Sequence, residues 1–229
     1  MADQIRTASL PDQLFDRLLG DIIEGRYEAG DRLPSQRALA AEYGVNMASL
    51  RAAIDRLAQL RLIEVRHGEA MRVADWRATG GVEVVAHAAL SEPALIEAVF
   101  EARALLLREA ASLAAARADE PSRREIMRLA EAFAAAADDS DRQVLDLAFM
   151  GAVIEAAGNL VFTLILNSMR AGYLARGEDF RALVSGGDAL NASYAAVARA
   201  IDARKPLQAA KAMSALTGAQ LASLLEGAG

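Results

Sequence analysis

Apolar residues recur at intervals of three or four along the N-terminal part of the chain, which is the period of an amphipathic helix. The spacing predicts a first helix from about Pro11 to Gly25 and a short second helix from Gln36 to Tyr43. A third helix is predicted from Asn46 to about Leu60. Its apolar residues form one stripe, while Arg51 lies on the opposite face. Two short helices joined by a tight turn, with an outward arginine on the second, predict a helix-turn-helix.

The pattern changes after the third helix. Apolar and polar residues alternate in Leu62–Arg66 and in Met71–Val73, with His67 and Gly68 between the two stretches. Alternation on both sides of a glycine predicts a two-stranded hairpin. A hairpin directly after a helix-turn-helix is a wing, and the glycine at its tip permits a close approach of the backbone to DNA.

The rest of the chain returns to the helical period. We predict a winged helix-turn-helix domain over residues 1–75, a linker over 76–81 that contains Trp76, and an all-helical domain over 82–229. The fold class is therefore mainly α, with an N-terminal winged helix and a C-terminal helical bundle. Proline and glycine mark the ends of the bundle's predicted helices, which are Val82–Leu90, Glu92–Ala118, Ser122–Ala137, Asp141–Ala157, Asn159–Gly177, Asp188–Ala203 and Pro206–Leu225.

The charge of the chain is uneven in both sign and residue type. The formal net charge is −6, which taken alone argues against a nucleic-acid partner. However, Lys205 and Lys211 are the only lysines, so arginine supplies nearly all the positive charge. Arginine contacts phosphate and guanine through two parallel hydrogen bonds, which lysine cannot do. The acidity also belongs mostly to the C-terminal part, because residues 1–80 hold 11 Arg against 12 Asp and Glu.

Several classes of protein are excluded by what the chain lacks. Without cysteine there are no disulfides, thiolate zinc sites or cysteine nucleophiles. His87 has no serine or aspartate at the spacing of a catalytic triad, and no glycine-rich phosphate loop is present. No apolar run approaches the ~18 residues of a membrane span, and the N-terminus does not resemble a signal peptide. We therefore expect a cytoplasmic protein that is not an enzyme, uses no cofactor and does not bind membranes.

Specific residues carry a family likeness. The run from Gly30 to Ala40, followed by Gly44-Val45, Leu50-Arg51 and Leu57, resembles the winged-helix domain of the GntR family of bacterial transcription regulators. The helical part resembles the all-α effector domain of the FadR-type subfamily, and it is most similar to the members that respond to fatty acids. The resemblance implies a homodimer that binds a palindromic operator and responds allosterically to a small ligand, here an acyl ligand such as a fatty acyl-CoA.

The resemblance also implies DNA-binding residues. Arg51, on the outward face of the recognition helix, and Arg37, at the start of the preceding helix, suit contacts with bases and phosphates. The family often has a basic residue where this chain has Met47, so one contact is lost. The full set carried over from the family consists of Ser35, Arg37, Asn46, Ser49, Arg51, His67 and Gly68.

The effector domain of this subfamily commonly holds a metal with one aspartate and three histidines. Asp146 matches the aspartate, but Met150, Tyr194 and Leu216 stand where the histidines would be. These side chains cannot replace three imidazoles, so we expect no metal. Apolar replacements suit an acyl chain, although plain core packing explains Phe149 and Met150 equally well. The effector-binding residues implied are Arg103, Asp146, Phe149, Met150, Tyr194 and Leu216.

Two questions stay open at this point. A buried Arg103 needs an anionic partner, which could be Asp146, Glu101 or a group of the ligand. The function also has alternatives. The same DNA-binding role could respond to a small carboxylate or sugar acid held by Arg103, or the chain could be a helical ligand-binding module whose winged helix docks a protein instead of DNA.

Overall fold

The protein is described by a computed structural model that covers residues 9–65, 70–82, 84–85, 93–175 and 177–227, with the side chains of 93–94, 169–179 and 226–227 left aside. Backbone contacts divide the chain into two compact units, Met1–Leu95 and Ile96–Gly229. Both are built mainly from helices, which confirms the predicted fold class.

The first unit contains a helix-turn-helix and a hairpin, as predicted. Its core is formed by the apolar faces of the first three helices and is completed by Leu62, Ile63 and Val73 from the hairpin region. The elements in order are α1 (Leu10–Ile23), α2 (Gln36–Glu42), α3 (Met47–Gln59), β1 (Ile63–Glu64), β2 (Arg72–Val73) and α4 (Trp76–Thr79).

Side-chain caps begin both helices of the helix-turn-helix. The Ser35 hydroxyl accepts a hydrogen bond from the backbone N–H of Ala38 at 3.2 Å, at the start of α2. The Asn46 carbonyl oxygen accepts one from the N–H of Ser49 at 2.8 Å, at the start of α3. Each cap satisfies a backbone donor that has no partner within its helix. Gly44, between the two helices, has a φ of 62°, which a residue with a side chain adopts only at a cost.

The wing is an antiparallel pair of short strands in which Ile63 lies opposite Val73 and Glu64 opposite Arg72. The loop before α2 joins it, because Arg32 forms a β-bridge with Arg72. The predicted tip, with His67 and Gly68, lies outside the described residues.

The segment predicted as a linker begins with the single helical turn of α4. Asp75 caps this turn, accepting from the backbone N–H groups of Arg77 and Ala78. Trp76 is half-buried against the core of the first unit. The contact-based boundary falls further along the chain, between Leu95 and Ile96. The helix predicted at residues 82–90 lies largely outside the described part of the chain.

The second unit is a bundle whose helix order follows the prediction, with bounds that differ by a few residues. One difference is a 3₁₀ helix at Gly177–Leu183, within a stretch for which no helix was predicted. None of the described helices is long and apolar enough to cross a membrane. The helices are α5 (Pro93–Arg117), α6 (Glu120–Ala135), α7 (Asp139–Ala156), α8 (Leu160–Ala175), α9 (Gly187–Asp202) and α10 (Pro206–Gly227).

Candidate nucleic-acid interface and effector site

A polar cluster joins the end of α1 to the end of α2 in the first unit. The buried Asp21 carboxylate accepts hydrogen bonds from Arg26, at 3.1 Å, and from the Tyr43 hydroxyl. Arg26 also forms an ion pair with Glu42. Burial and the hydrogen bond to Asp21 raise the pKa of Tyr43, so it remains a neutral donor. The cluster fixes α2 relative to α1.

A second contact joins α3 to α1. The Arg56 guanidinium forms an ion pair with Asp12, with 2.6 Å between Nη1 and Oδ1, and lies over the Phe15 ring at 3.9 Å from its centroid. Hydrogen bonds from Ser9 and the charge of Arg56 lower the pKa of Asp12. Arg56 therefore joins the recognition helix to α1.

Unlike Arg26 and Arg56, the predicted DNA-binding arginines do not pair with carboxylates of the described residues. Arg37 and Arg51 are exposed, and neither forms an ion pair with any residue in the described part of the chain. Ala48 and Asp55 are exposed as well, so the outward face predicted for the recognition helix is confirmed. This face can meet an external partner without any rearrangement of the core.

The two caps keep a donor for such a partner. Ser35 uses its hydroxyl oxygen as an acceptor and can still donate its proton, while Asn46 uses its carbonyl oxygen and retains its amide N–H groups. Ser49, in contrast, is only 8% exposed. Met47 is half-buried against the core of the unit.

The second unit contains a buried polar cluster that links four helices, α5, α7, α9 and α10. The Asp146 carboxylate, on α7, accepts a hydrogen bond from the Tyr194 hydroxyl at 2.5 Å and from Gln220 Nε2 at 3.1 Å. Arg103 Nη2 lies 3.6 Å from the other carboxylate oxygen. Gln220 Oε1 accepts from Arg103 Nη1 at 2.9 Å, and its Nε2 donates also to the Tyr194 oxygen. We call these four residues the Asp146 cluster.

The four side chains of the cluster bind one another in the interior of the bundle. Asp146 is 1% exposed, and a buried carboxylate needs an opposite charge and hydrogen bonds; Arg103 supplies the charge, while Tyr194 and Gln220 supply the hydrogen bonds. Phe133 stacks on the Tyr194 ring at a centroid distance of 3.9 Å, and Phe149 meets that ring edge-on at 5.0 Å. An apolar shell of this kind strengthens the electrostatic interactions inside it.

The structure brings together most of the predicted effector residues. Of the partners considered for Arg103, Asp146 is in contact with it, whereas Glu101 is exposed. Phe149, Met150 and Leu216 are fully buried. Sequence reasoning missed Gln220, although one signal was available, since it lies four residues after Leu216 and hence on the same face of α10.

The residues at this site do not fit the metal of the subfamily. Hydrogen-bond donors occupy both sides of the Asp146 carboxylate, and Tyr194 donates to it instead of offering a free oxygen. Met150 and Leu216 supply no nitrogen or oxygen ligand. Among the residues that the structure describes, no group of three or more His, Cys, Asp or Glu is arranged to hold a metal ion. The guanidinium of Arg103 supplies the positive charge that a metal would bring.

A separate feature of this unit is an open groove of about 350 Å³ along α5 and α10. Its walls come from α5 between Glu97 and Arg108, and from α10 between Ser214 and Leu221. None of the six predicted effector residues lines it.

Comparison with protein-family models gives two matches. The model of the bacterial regulatory proteins of the gntR family matches residues 10–73, and the model of the FCD domain matches residues 98–219. The two matches cover the helix-turn-helix with its wing and most of the helical bundle.

Named relatives agree with the family models. The HTH-type transcriptional regulator Mce2R of Mycobacterium tuberculosis is 31% identical over 174 residues, covering 72% of this chain and 70% of the relative. The fatty acid metabolism regulator protein of Edwardsiella ictaluri is 30% identical over 162 residues, covering 68% of this chain and 66% of its own. The solved structure of Lar, which controls expression of the Listeria monocytogenes agr system, aligns with a TM-score of 0.64 at 16% identity over 96% of this chain and 99% of its own, and so shares the fold.

Proposed function

This chain belongs to the GntR family of bacterial regulatory proteins, and on that premise we propose that it binds a palindromic operator as a homodimer. It is a DNA-binding transcription regulator with an FCD effector-binding domain. We further propose which residues contact the operator and which class of ligand controls operator binding.

The observation that carries the DNA-binding part is the state of the arginines in the first unit. Arg26 and Arg56 are bound to carboxylates of their own unit, while Arg37 and Arg51 are exposed and form no ion pair within the described residues. An exposed arginine can donate two parallel hydrogen bonds to a phosphate or a guanine. Arg51 contacts the major groove from α3, and Arg37 contacts it from α2.

The remaining contacts position the protein. The Ser35 hydroxyl and the Asn46 side-chain amide donate hydrogen bonds to phosphate oxygens. Ser49 supplies a further donor in the first turn of α3. His67 and Gly68, which the sequence predicts at the tip of the wing, contact the minor groove. Because residues 1–80 carry 11 Arg against 12 Asp and Glu, affinity depends on these placed contacts and on two-fold symmetry more than on overall charge.

For the effector we propose an acyl ligand such as a fatty acyl-CoA. Apolar side chains replace the histidines of the subfamily at Met150 and Leu216, and one relative is a fatty acid metabolism regulator. Phe149, Met150 and Leu216 are buried, so a chain that enters among them requires a second conformation of the unit. A ligand that binds this second conformation more tightly shifts the population toward it, and the shift is the allosteric signal.

A small carboxylate or sugar acid is a second candidate effector, and one contact favours it. Gln220 Oε1 accepts a hydrogen bond from Arg103 at 2.9 Å, which is the contact that a ligand carboxylate would make. A compact acid could take the place of the Gln220 side chain with little movement of the apolar shell.

The DNA-binding proposal is tested with operator DNA selected by the protein from a random pool. Binding is measured over a series of salt concentrations for the wild type, Arg37→Ala and Arg51→Ala, with the exposed Arg17→Ala on α1 as the control. We expect each of the first two variants to lose about tenfold in affinity, and a phosphate contact to lower the salt slope by about one. Unchanged binding in both would favour the alternative in which the winged helix docks a protein.

The effector proposal is tested by titrating the protein–operator complex with palmitoyl-CoA and, separately, with small dicarboxylates and sugar acids. An acyl effector changes operator affinity and binds with a large negative heat-capacity change, because it buries a long apolar surface. If only the small acids change operator affinity, the acyl assignment is wrong and the second candidate stands.

A further inference from the structure

The groove along α5 and α10 has an apolar centre and charged ends. Leu105 lines it with 55% of its surface exposed. On the opposite wall, a Cβ built on Gly218 would meet no atom within 4 Å, so there is free space in front of that backbone. The groove therefore offers an apolar side chain and also a space that could receive one.

Two charges of α5 are placed symmetrically about this centre, and a third, that of Glu97, lies at the end of the groove beyond Glu101. Glu101 and Arg108 lie on the same face of the helix as Leu105, are exposed, and form no ion pair with any residue that the structure describes. They are equally far along the sequence from the midpoint between Ala104 and Leu105. Seven residues separate them, about 10.5 Å along the helix axis.

This arrangement is complementary to itself. If a second α5 lies antiparallel to the first, with a two-fold axis between Ala104 and Leu105, Glu101 of each copy faces Arg108 of the other. The two Leu105 side chains then meet near the axis. A two-fold interface requires one patch to match itself in this way. A ligand or foreign protein of a single charge sign would meet repulsion at one of the two ends.

We propose that the α5–α10 face is the surface through which two copies of this chain associate, with reciprocal Glu101–Arg108 ion pairs on either side of a Leu105 contact. The inference rests on the homodimer of the proposed function and specifies its interface. Small residues on the facing side of α10, Ser214 and Gly218, allow the second α5 to approach closely.

Charge reversal tests the pairing. Sedimentation velocity of the full chain, without DNA or ligand, gives the dimer dissociation constant of the wild type, Glu101→Arg, Arg108→Glu and the double variant. Each single reversal places like charges opposite each other twice, so we expect the dissociation constant to rise at least about tenfold. The double variant restores both pairs with exchanged signs and should dimerise within a few-fold of the wild type.

Two further variants complete the test. Arg199→Glu makes the same charge change at an exposed position of α9 and should leave the dissociation constant unchanged. Leu105→Ser removes the central contact and should weaken dimerisation without a change in the circular dichroism spectrum. The proposal is overturned if the wild type is monomeric throughout, if the single reversals dimerise like the wild type, or if the double variant stays as weak as the singles. Because DNA is absent, none of these results bears on the operator contacts.

Discussion

The two units differ in where they keep their arginines. In the first unit, Arg37 and Arg51 extend into solvent, and the core beneath them is almost entirely apolar. In the second unit, Arg103 lies inside the bundle, bound to Asp146 and Gln220. The first unit thus exposes two arginines to solvent, whereas the second unit pairs an arginine with polar groups inside the bundle.

The difference follows from the size of what each unit binds. A DNA duplex is external and polyanionic, so its contacts must be exposed, and an unbound arginine in water costs nothing. A small effector must be surrounded, so the polar groups that meet it are buried and need partners when it is absent. Under the proposed function, mutation can therefore separate DNA binding from stability in the first unit, whereas effector binding and stability depend on the same side chains in the second.

The strongest test of this contrast is Asp146→Ala. The substitution leaves the Arg103 guanidinium without a counter-charge and removes the acceptor for Tyr194 and Gln220, so we expect a loss of about 3–5 kcal/mol in the free energy of unfolding. Urea denaturation followed by circular dichroism measures it, with the exposed Glu155→Ala on the same helix as the control. A loss no larger than that of the control would show that the cluster does not stabilise the bundle.

Tyr43→Phe tests the polar cluster of the first unit. Its hydroxyl bonds to the buried Asp21, but Arg26 remains as a second donor at the surface, so the expected loss is smaller, about 1–2 kcal/mol. The single tryptophan, Trp76, packs on this unit, and its fluorescence follows the unfolding of the unit during urea titration. A loss as large as that of Asp146→Ala would contradict the distinction between the two units.

Arg51→Ala should change stability least among the three substitutions. The side chain is exposed and has no ion pair among the described residues, so the free energy of unfolding should change by less than about 0.5 kcal/mol while operator affinity falls. Trp76 fluorescence in urea gives the first quantity and operator titration the second. A stability loss that accounts for the lost affinity would mean that Arg51 supports the fold.

Metal removal should have no effect. Because Arg103 already balances Asp146, treatment with EDTA followed by addition of zinc should leave the thermal unfolding of the chain unchanged within error. A rise in the unfolding temperature with zinc that Asp146→Asn abolishes would show that the carboxylate binds metal after all.

Much of the first unit could be predicted from local pattern. The caps at Ser35 and Asn46 and the glycine turn between α2 and α3 are decided by residues within a few positions of one another. Helical period and strand alternation are local as well. The same holds for the helices of the bundle, whose ends are marked by proline and glycine, although their bounds shifted by a few residues.

The chain alone thus determined its helices, its hairpin and the absence of the histidines of the subfamily's metal site. Only the tertiary structure decided which arginines form ion pairs within their own unit. Arg26 and Arg56 resemble Arg37 and Arg51 in sequence, and packing alone pairs the first two with carboxylates. The Asp146 cluster joins residues 26, 74 and 117 positions apart, and the position of Gln220 one helical turn after Leu216 does not by itself show that it contacts Asp146 and Arg103. Hydrogen bonds and ion pairs act over a few ångströms in space, and the fold sets those distances.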